Sequence, residues 1–193
     1  FNGDFNKWVK FANSLKLRLA IRIVYADEAL AQQKAEEAIR DGVFADNEDN
    51  AMLKVDGSAT VNPLYMICYT YNDSRLGATM DLKGYDDPRL DIWFAKSEVS
   101  EFKEYNGIRC GSIFNGNDYK VFSNLNVSSS TPIQFMNAAE VYFLRAEAAL
   151  RGWNAGEDAG ALYEKGIMTA FSQPLGGTQS KAGDASVYMK GTT

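Results

Sequence analysis

Five residues able to hold a polyol crowd into seven consecutive positions: Tyr69, Tyr71, Asn72, Asp73 and Arg75. Trp93 and Tyr105 follow in the same aromatic stretch. Flat aromatic faces cover the apolar faces of pyranose rings. Carboxamide, carboxylate and guanidinium groups fork onto neighbouring hydroxyls. The seven residues are therefore the candidate ligand-binding set, for a sugar. Aromatics dominate burial in any folded insertion, so only a subset of them is expected to face solvent.

Catalysis has little to work with. The sequence contains no histidine, which removes the usual general base, Ser-His and Cys-His nucleophile pairs, and any His-containing zinc site. Asp73 and Asp91 are the carboxylates that a glycoside hydrolase would pair at roughly 5 to 9 Å, but no motif fixes them as a pair. Asp46-Asn-Glu-Asp-Asn50 is calcium-loop-like only in composition: Ala51 stands where a glycine is required, and Gly57 where a bidentate Glu belongs. Tyr105-Asn-Gly-Ile-Arg-Cys-Gly111 and Phe114-Asn-Gly-Asn-Asp118 are glycine-punctuated turns, and neither matches a phosphate-binding loop. No cofactor, metal or catalytic residue is expected.

Composition narrows the partners. A net charge of −5 with scattered Lys and Arg gives no basic track for nucleic acid or an anionic membrane. Cys68 and Cys110 have no metal-ligand spacing and are expected as two separate buried thiols, with a disulfide conceivable only in an oxidising compartment. No run approaches the roughly 18 apolar residues of a membrane span. With 193 residues at 46% hydrophobic, one sizeable core is affordable. The start at Phe1 and the Lys-Gly-Thr-Thr end are read as those of an internal fragment.

Two helix pairs must position the aromatic stretch. The first helix is expected over about Asp4 to Val24. One apolar stripe is Phe5, Trp8, Ala12, Leu15, Leu19 and Ile23, and a second is Val9, Leu17, Ile21 and Val24. Two stripes predict burial between neighbours. Asp27 caps an alanine-rich partner helix that points Leu30, Ala31, Ala35, Ala38 and Ile39 inward and ends at Gly42. A third helix is predicted from a capping box of Thr131, Pro132 and Gln134, ending at Gly152. A fourth follows, capped by Asn154 with Glu157 and stopped at Gln173-Pro174.

The predicted organisation is thus one mainly α domain over 1–193. It comprises a helix pair at 4–42, an aromatic loop-rich insertion at 43–130, a second pair at 131–173 and a loop or disordered tail at 174–193. Within the insertion, Tyr65–Tyr71 reads as a short strand or aromatic loop. Asn72–Arg75 reads as the cap of a short helix reaching Leu82 and ended by Gly84. Asp87–Leu90 reads as a turn. A plain four-helix bundle is the competing architecture. The shared centres Leu17-Arg18-Leu19-Ala20 and Leu144-Arg145-Ala146 favour stacked repeats.

Several motifs resemble the SusD/RagB family in order along the chain. They are Asn2–Trp8 leading into Lys10–Ala20, Asn62-Pro-Leu64, Gly84–Leu90, Asn137–Ala148 and Arg151-Gly-Trp153. The resemblance covers nearly all of the chain up to about Gln173. It implies tetratricopeptide-like helix pairs in a superhelical stack, a loop-rich part carrying the ligand surface, and no catalysis. It further implies a surface-exposed, lipid-anchored outer-membrane protein that captures oligosaccharides for a SusC-like TonB-dependent transporter. A helical-repeat protein–protein interaction module is the alternative. The resemblance transfers no binding residue, and Asn13, Arg18, Glu140 and Arg145 in its motifs are expected as polar ties in the helix stack.

Overall fold

In the computed structural model of the protein, the described residues are 1–80, 87–99, 101, 104–113 and 118–191. The chain divides into two compact units, one of residues 1–52 and 134–173, the other of residues 53–133 and 174–193.

The first unit is built from α1 (Phe5–Arg22), α2 (Glu28–Asp41), α5 (Ala138–Leu150) and α6 (Ala159–Phe171). Asp4 starts α1 by accepting hydrogen bonds from the amides of Asn6 and Lys7, and Asp27 does the same for Leu30 of α2. Gly42 ends α2 at φ +96°, a conformation that other residues adopt only with strain. Ala31, Ala35 and Ala38 are buried, so α2 and α1 approach closely. Gly166 gives the same closeness in the second pair: a Cβ there would stand 2.7 Å from the Phe143 ring of α5.

The third and fourth helices start later than predicted. Residues Ile133–Met136 form β2, which pairs with β1 (Ala51–Leu53) in a two-stranded sheet. Pairing with a distant strand outweighs the local capping signal at Thr131, and the Thr131 hydroxyl accepts from the Ser128 amide instead. Asn137 is the real cap of α5, accepting from the Glu140 amide at 2.7 Å. Likewise Asp158, not Asn154, caps α6, while the Asn154 amide donates to Glu36 of α2 and draws that carboxyl below its ordinary pKa.

Polar ties lock the first unit. Arg18 of α1 chelates Glu140 of α5 with two bonds of 2.6 Å, a geometry that fixes register more than it adds stability, since both groups are partly exposed. Asn13 donates to the last carbonyls of α2, Asp41 and Gly42, and Arg145 donates to the Ala155 carbonyl. The acidic run 46–50 is a structural knot. Asp49, almost fully buried, accepts from the Ala45 amide and from Lys10, whose pKa that hydrogen bond raises. Asn50 accepts from the first amide of α5, and Asn47 donates to Thr169 and Ser172 at the end of α6. Among the described residues no three Cys, Asp or Glu side chains are grouped so as to hold a metal ion.

The two stripes of α1 part company. Of the second stripe, Leu17, Ile21 and Val24 are buried in one core with residues of α2 and α5, while Val9 is exposed; of the first, Phe5, Trp8, Leu19 and Ile23 remain exposed. The expectation that both stripes lie between neighbours therefore holds within this unit only for the Leu17, Ile21 and Val24 part of the second.

The second unit has little regular structure: α3 (Pro63–Tyr65), which continues into a π-helical turn at Met66–Thr70, α4 (Leu90–Trp93), and α7 (Ala185–Gly191). The tail predicted as loop or disorder is helical over its described residues, with a 3₁₀ run at Leu175–Asp184 leading into α7. It is tied to α4 by the ion pair of Lys181 with Asp91. The predicted helix after Asn72 does not form over the described residues 72–80. Its end at Leu82–Gly84, the first three residues of the Gly84–Leu90 motif and most of the turn at Phe114–Asp118 lie outside the described residues. Asp87–Leu90 does turn, directly into α4. Cys68 is buried and its thiol pKa is pushed up by that burial. Cys110 is exposed and unlinked, so the expectation of two buried thiols holds only for the first.

Candidate functional site

The Tyr65–Tyr71 run is neither strand nor loop. Asn62 accepts from the Leu64 amide while its own amide group donates to the Thr131 carbonyl, and Pro63 supplies a preset φ at the first helical position. The helix then widens into a π turn, closed by the Tyr71 amide on the Met66 carbonyl at 2.9 Å. Such turns are rare and concentrate at functional sites. The Asn62-Pro63 pair was the sequence signal for this helix start.

One consequence is an aromatic ledge. Tyr65 and Tyr69, four residues apart, stack with ring centroids 5.2 Å apart at 24°. The Tyr69 hydroxyl donates to the Leu125 carbonyl at 2.5 Å, which fixes the ring although 40% of the residue stays exposed. Burial of that hydroxyl raises its pKa. Tyr71, 61% exposed, stands at the end of the turn. Among the described residues neither Tyr71 nor Asp73 makes a side-chain hydrogen bond, and both are open to solvent. Tyr65 was not among the sequence candidates; its i, i+4 spacing from Tyr69 was the available clue.

Arg75 holds this ledge from behind. Asn72 sits at φ +59°, a left-handed position that asparagine tolerates, and its side-chain oxygen accepts from Arg75 at 2.9 Å. The same guanidinium donates to the carbonyls of Ser74, Cys68 and Tyr119 and lies 5.3 Å from the Tyr119 ring centroid. Four of its five N–H groups have partners in the protein, so Arg75 positions the turn. Lysine cannot reproduce that fork. Arg75→Lys is expected to cost about 1 kcal/mol of stability and to speed amide exchange at Tyr71–Asp73 relative to α2. Unchanged exchange there would remove the positioning role.

Trp93 and Tyr105 belong to a different cluster. Arg89 is clamped by Asp87 through bonds of 2.9 and 2.6 Å and stacks 4.4 Å from the Trp93 ring centroid, with Tyr188 at 5.7 Å. Trp93 is half-buried and one face is covered. Tyr105 is also half-buried; burial, and then the charge of Asp91, raise its hydroxyl pKa. Asp91 itself pairs with Lys181 at 3.3 Å. Of the seven sequence candidates, the structure thus gathers Tyr69, Tyr71, Asn72, Asp73 and Arg75 at the π turn and places Trp93 and Tyr105 at α4.

Segment 119–127 connects both places. Ser123 and Leu76 share a backbone bond of 2.8 Å, Asn124 donates to the Cys68 carbonyl, and the Asn126 amide donates to the Trp93 carbonyl. These exchanges give an irregular unit the satisfied backbone that sheet ladders give elsewhere.

Tetratricopeptide-like helix pairs carrying an irregular, loop-rich unit define a mainly α repeat-type protein. The family model for SusD-like proteins, described as Susd and RagB outer membrane lipoprotein, matches residues 1–192, and the chain belongs to this family. A SusD homologue from Bacteroides thetaiotaomicron is similar at 36% identity and a TM-score of 0.83, over 93% of this chain and 38% of that one. A chitin-binding SusD homologue from Flavobacterium johnsoniae is 41% identical with a TM-score of 0.82, over 96% and 38%. A homologue from Bacteroides ovatus is 35% identical with a TM-score of 0.84, over 96% and 40%. The chain therefore spans about two fifths of the length of these relatives. No curated protein matches it.

Proposed function

We propose that this chain forms part of a non-catalytic, surface-exposed, lipid-anchored outer-membrane protein that binds oligosaccharides and delivers them to a SusC-like TonB-dependent transporter. The observation that carries the reading is the stacked Tyr65–Tyr69 pair, with the exposed Tyr71 at the end of the same turn, in a SusD-family chain. A rigid aromatic surface with an exposed carboxylate beside it is what a pyranose ring stacks on and hydrogen-bonds to. The chitin-binding relative at 41% identity supports a glycan as the cargo class and makes N-acetylglucosamine oligomers the first ligands to try. A protein–protein interaction module would fit the helix pairs but leaves the ledge without a role.

The test uses the full-length protein against chitin oligosaccharides and against starch, fructan, host-glycan and plant-fibre classes, by affinity gel and calorimetry. Tyr71→Ala is expected to weaken binding about tenfold, or about 1.4 kcal/mol, with the fold intact because the ring is exposed. Unchanged affinity would exclude the ledge as the platform. Turnover of the bound glycan by the wild-type protein would overturn the non-catalytic reading.

A further inference from the structure

Charge at the π turn is one-sided. From Asn62 to Leu76 the only charged residues are Asp73 and Arg75, and the structure leaves them in opposite conditions. The half-buried Arg75 guanidinium donates to the carbonyls of Ser74, Cys68 and Tyr119 and to the Asn72 side-chain oxygen. With those donors engaged, it has no fork left for the carboxylate or sulfate of a ligand. The Asp73 carboxylate, in contrast, is exposed and meets no cation and no hydrogen-bond donor among the described residues. Its backbone is fixed all the same, because the Asp73 amide donates to the Ile67 carbonyl of the π turn at 3.0 Å. A negative charge is thus anchored two residues after the exposed Tyr71 ring, with nothing in the turn to neutralise it.

The tyrosines lean the same way. The Tyr69 hydroxyl gives its proton to the Leu125 carbonyl and can only accept from a ligand. Aromatic faces attract cations through the ring quadrupole. Resting on the sugar-binding reading of this turn, we infer that Asp73 makes it select its glycan by charge: an amino sugar with a free ammonium group is preferred over its neutral N-acetylated form, and a uronic acid is rejected. The ammonium group gains the carboxylate as a charge-assisted partner and a tyrosine face beside it. A uronate brings like charge towards Asp73 and finds Arg75 already engaged. Asp73 is thereby a specificity-determining residue, and Arg75 a positioning one.

Calorimetry of the full-length protein tests it with β-1,4-linked oligomers of equal length built from glucosamine, N-acetylglucosamine or glucuronic acid. Mildly acidic pH keeps the sugar amine protonated and the uronate ionised. The glucosamine oligomer is expected to bind about fivefold more tightly than the N-acetylglucosamine oligomer, as exposed charge pairs allow. The glucuronic acid oligomer is expected to bind at least about fivefold more weakly, and high salt shrinks both ratios. Asp73→Asn is expected to bring both ratios close to one. Glu164→Gln removes the same charge from an exposed position of α6 and is expected to leave them as they are, which separates a local carboxylate from the general attraction of a polycation to an acidic protein. Equal wild-type affinity for the glucosamine and N-acetylglucosamine oligomers would overturn the inference. So would ratios that both substitutions change alike, or tighter binding of the glucuronic acid oligomer. The glycan reading survives those outcomes if Tyr71→Ala still weakens the N-acetylglucosamine oligomer. Binding of none of the three overturns the inference, and silence of the wider polysaccharide panel as well overturns the reading beneath it.

Discussion

Phe44→Ala is expected to destabilise the helical unit by about 3–5 kcal/mol and lower its Tm by roughly 10 °C. Phe44 is fully buried and stacks on Phe11 at 6.0 Å and 17°, with Phe1 edge-on at 6.4 Å. Phe1 and Phe11 each also meet Trp8 edge-on. The ring fills the space where the chain leaves α2, and its backbone amide donates to the buried Ser14 hydroxyl at 2.9 Å. Alanine keeps the amide bond and removes the ring, leaving a cavity among residues already fixed by two helices. Phe44→Leu preserves most of the volume and is expected to cost under about 1.5 kcal/mol. Thermal and denaturant unfolding of both variants, beside Phe5→Ala at a largely exposed position, checks the claim. Equal losses for Phe44→Ala and Phe5→Ala would mean that the aromatic cluster does not anchor the unit.

The second large effect is expected at Gly107. A Cβ there would come within 2.7 Å of the Ala78 Cα, 2.8 Å of the Gly77 carbonyl oxygen and 2.9 Å of the Ala78 nitrogen. All three are backbone atoms, which cannot rotate aside. The strand-like pairing also cannot widen cheaply, because the Ile108 amide donates to Leu76 and the Ala78 amide to Ile108, both at 2.7 Å. On the other side the Asn106 amide donates to Ser123, whose hydroxyl is buried. Gly107→Ala is therefore expected to cost about 3 kcal/mol, the upper end of overpacking, and to loosen the Arg75 turn that adjoins Leu76. Gly183→Ala is the control, since nothing lies within 4 Å of its Cβ position. Unfolding curves that place the two variants together would show that the close approach is relaxed in solution.

The helical frame was legible because its signals are local. Asp4, Asp27 and Gly42 punctuate α1 and α2 where the residues imply, and the motif residues Asn13, Arg18, Glu140 and Arg145 tie helices and their ends together. What misled were competing local signals. Thr131-Pro132 is a sound helix start, yet Ile133–Met136 found a strand partner some eighty residues earlier in the chain. Tyr65–Tyr71 has the composition of a strand, yet Asn62-Pro63 begins a helix there and five-residue bonding widens it.

The sequence by itself determined the family, the mainly α repeat architecture and the residue types available to a sugar. The first follows from the resemblance of motifs in order along the chain, the other two from spacing and composition, which act over a few residues at a time. Only the tertiary structure decided that Tyr65 and Tyr69 stack, that Arg75 spends its donors on carbonyls rather than on a ligand, and that Trp93 lies under Arg89. It also decided which stripe of α1 is buried, since two apolar faces of one helix are equivalent until neighbouring helices choose between them. Burial and hydrogen-bond satisfaction are properties of segments brought together from far along the chain, and the exposure of a binding ring follows from both.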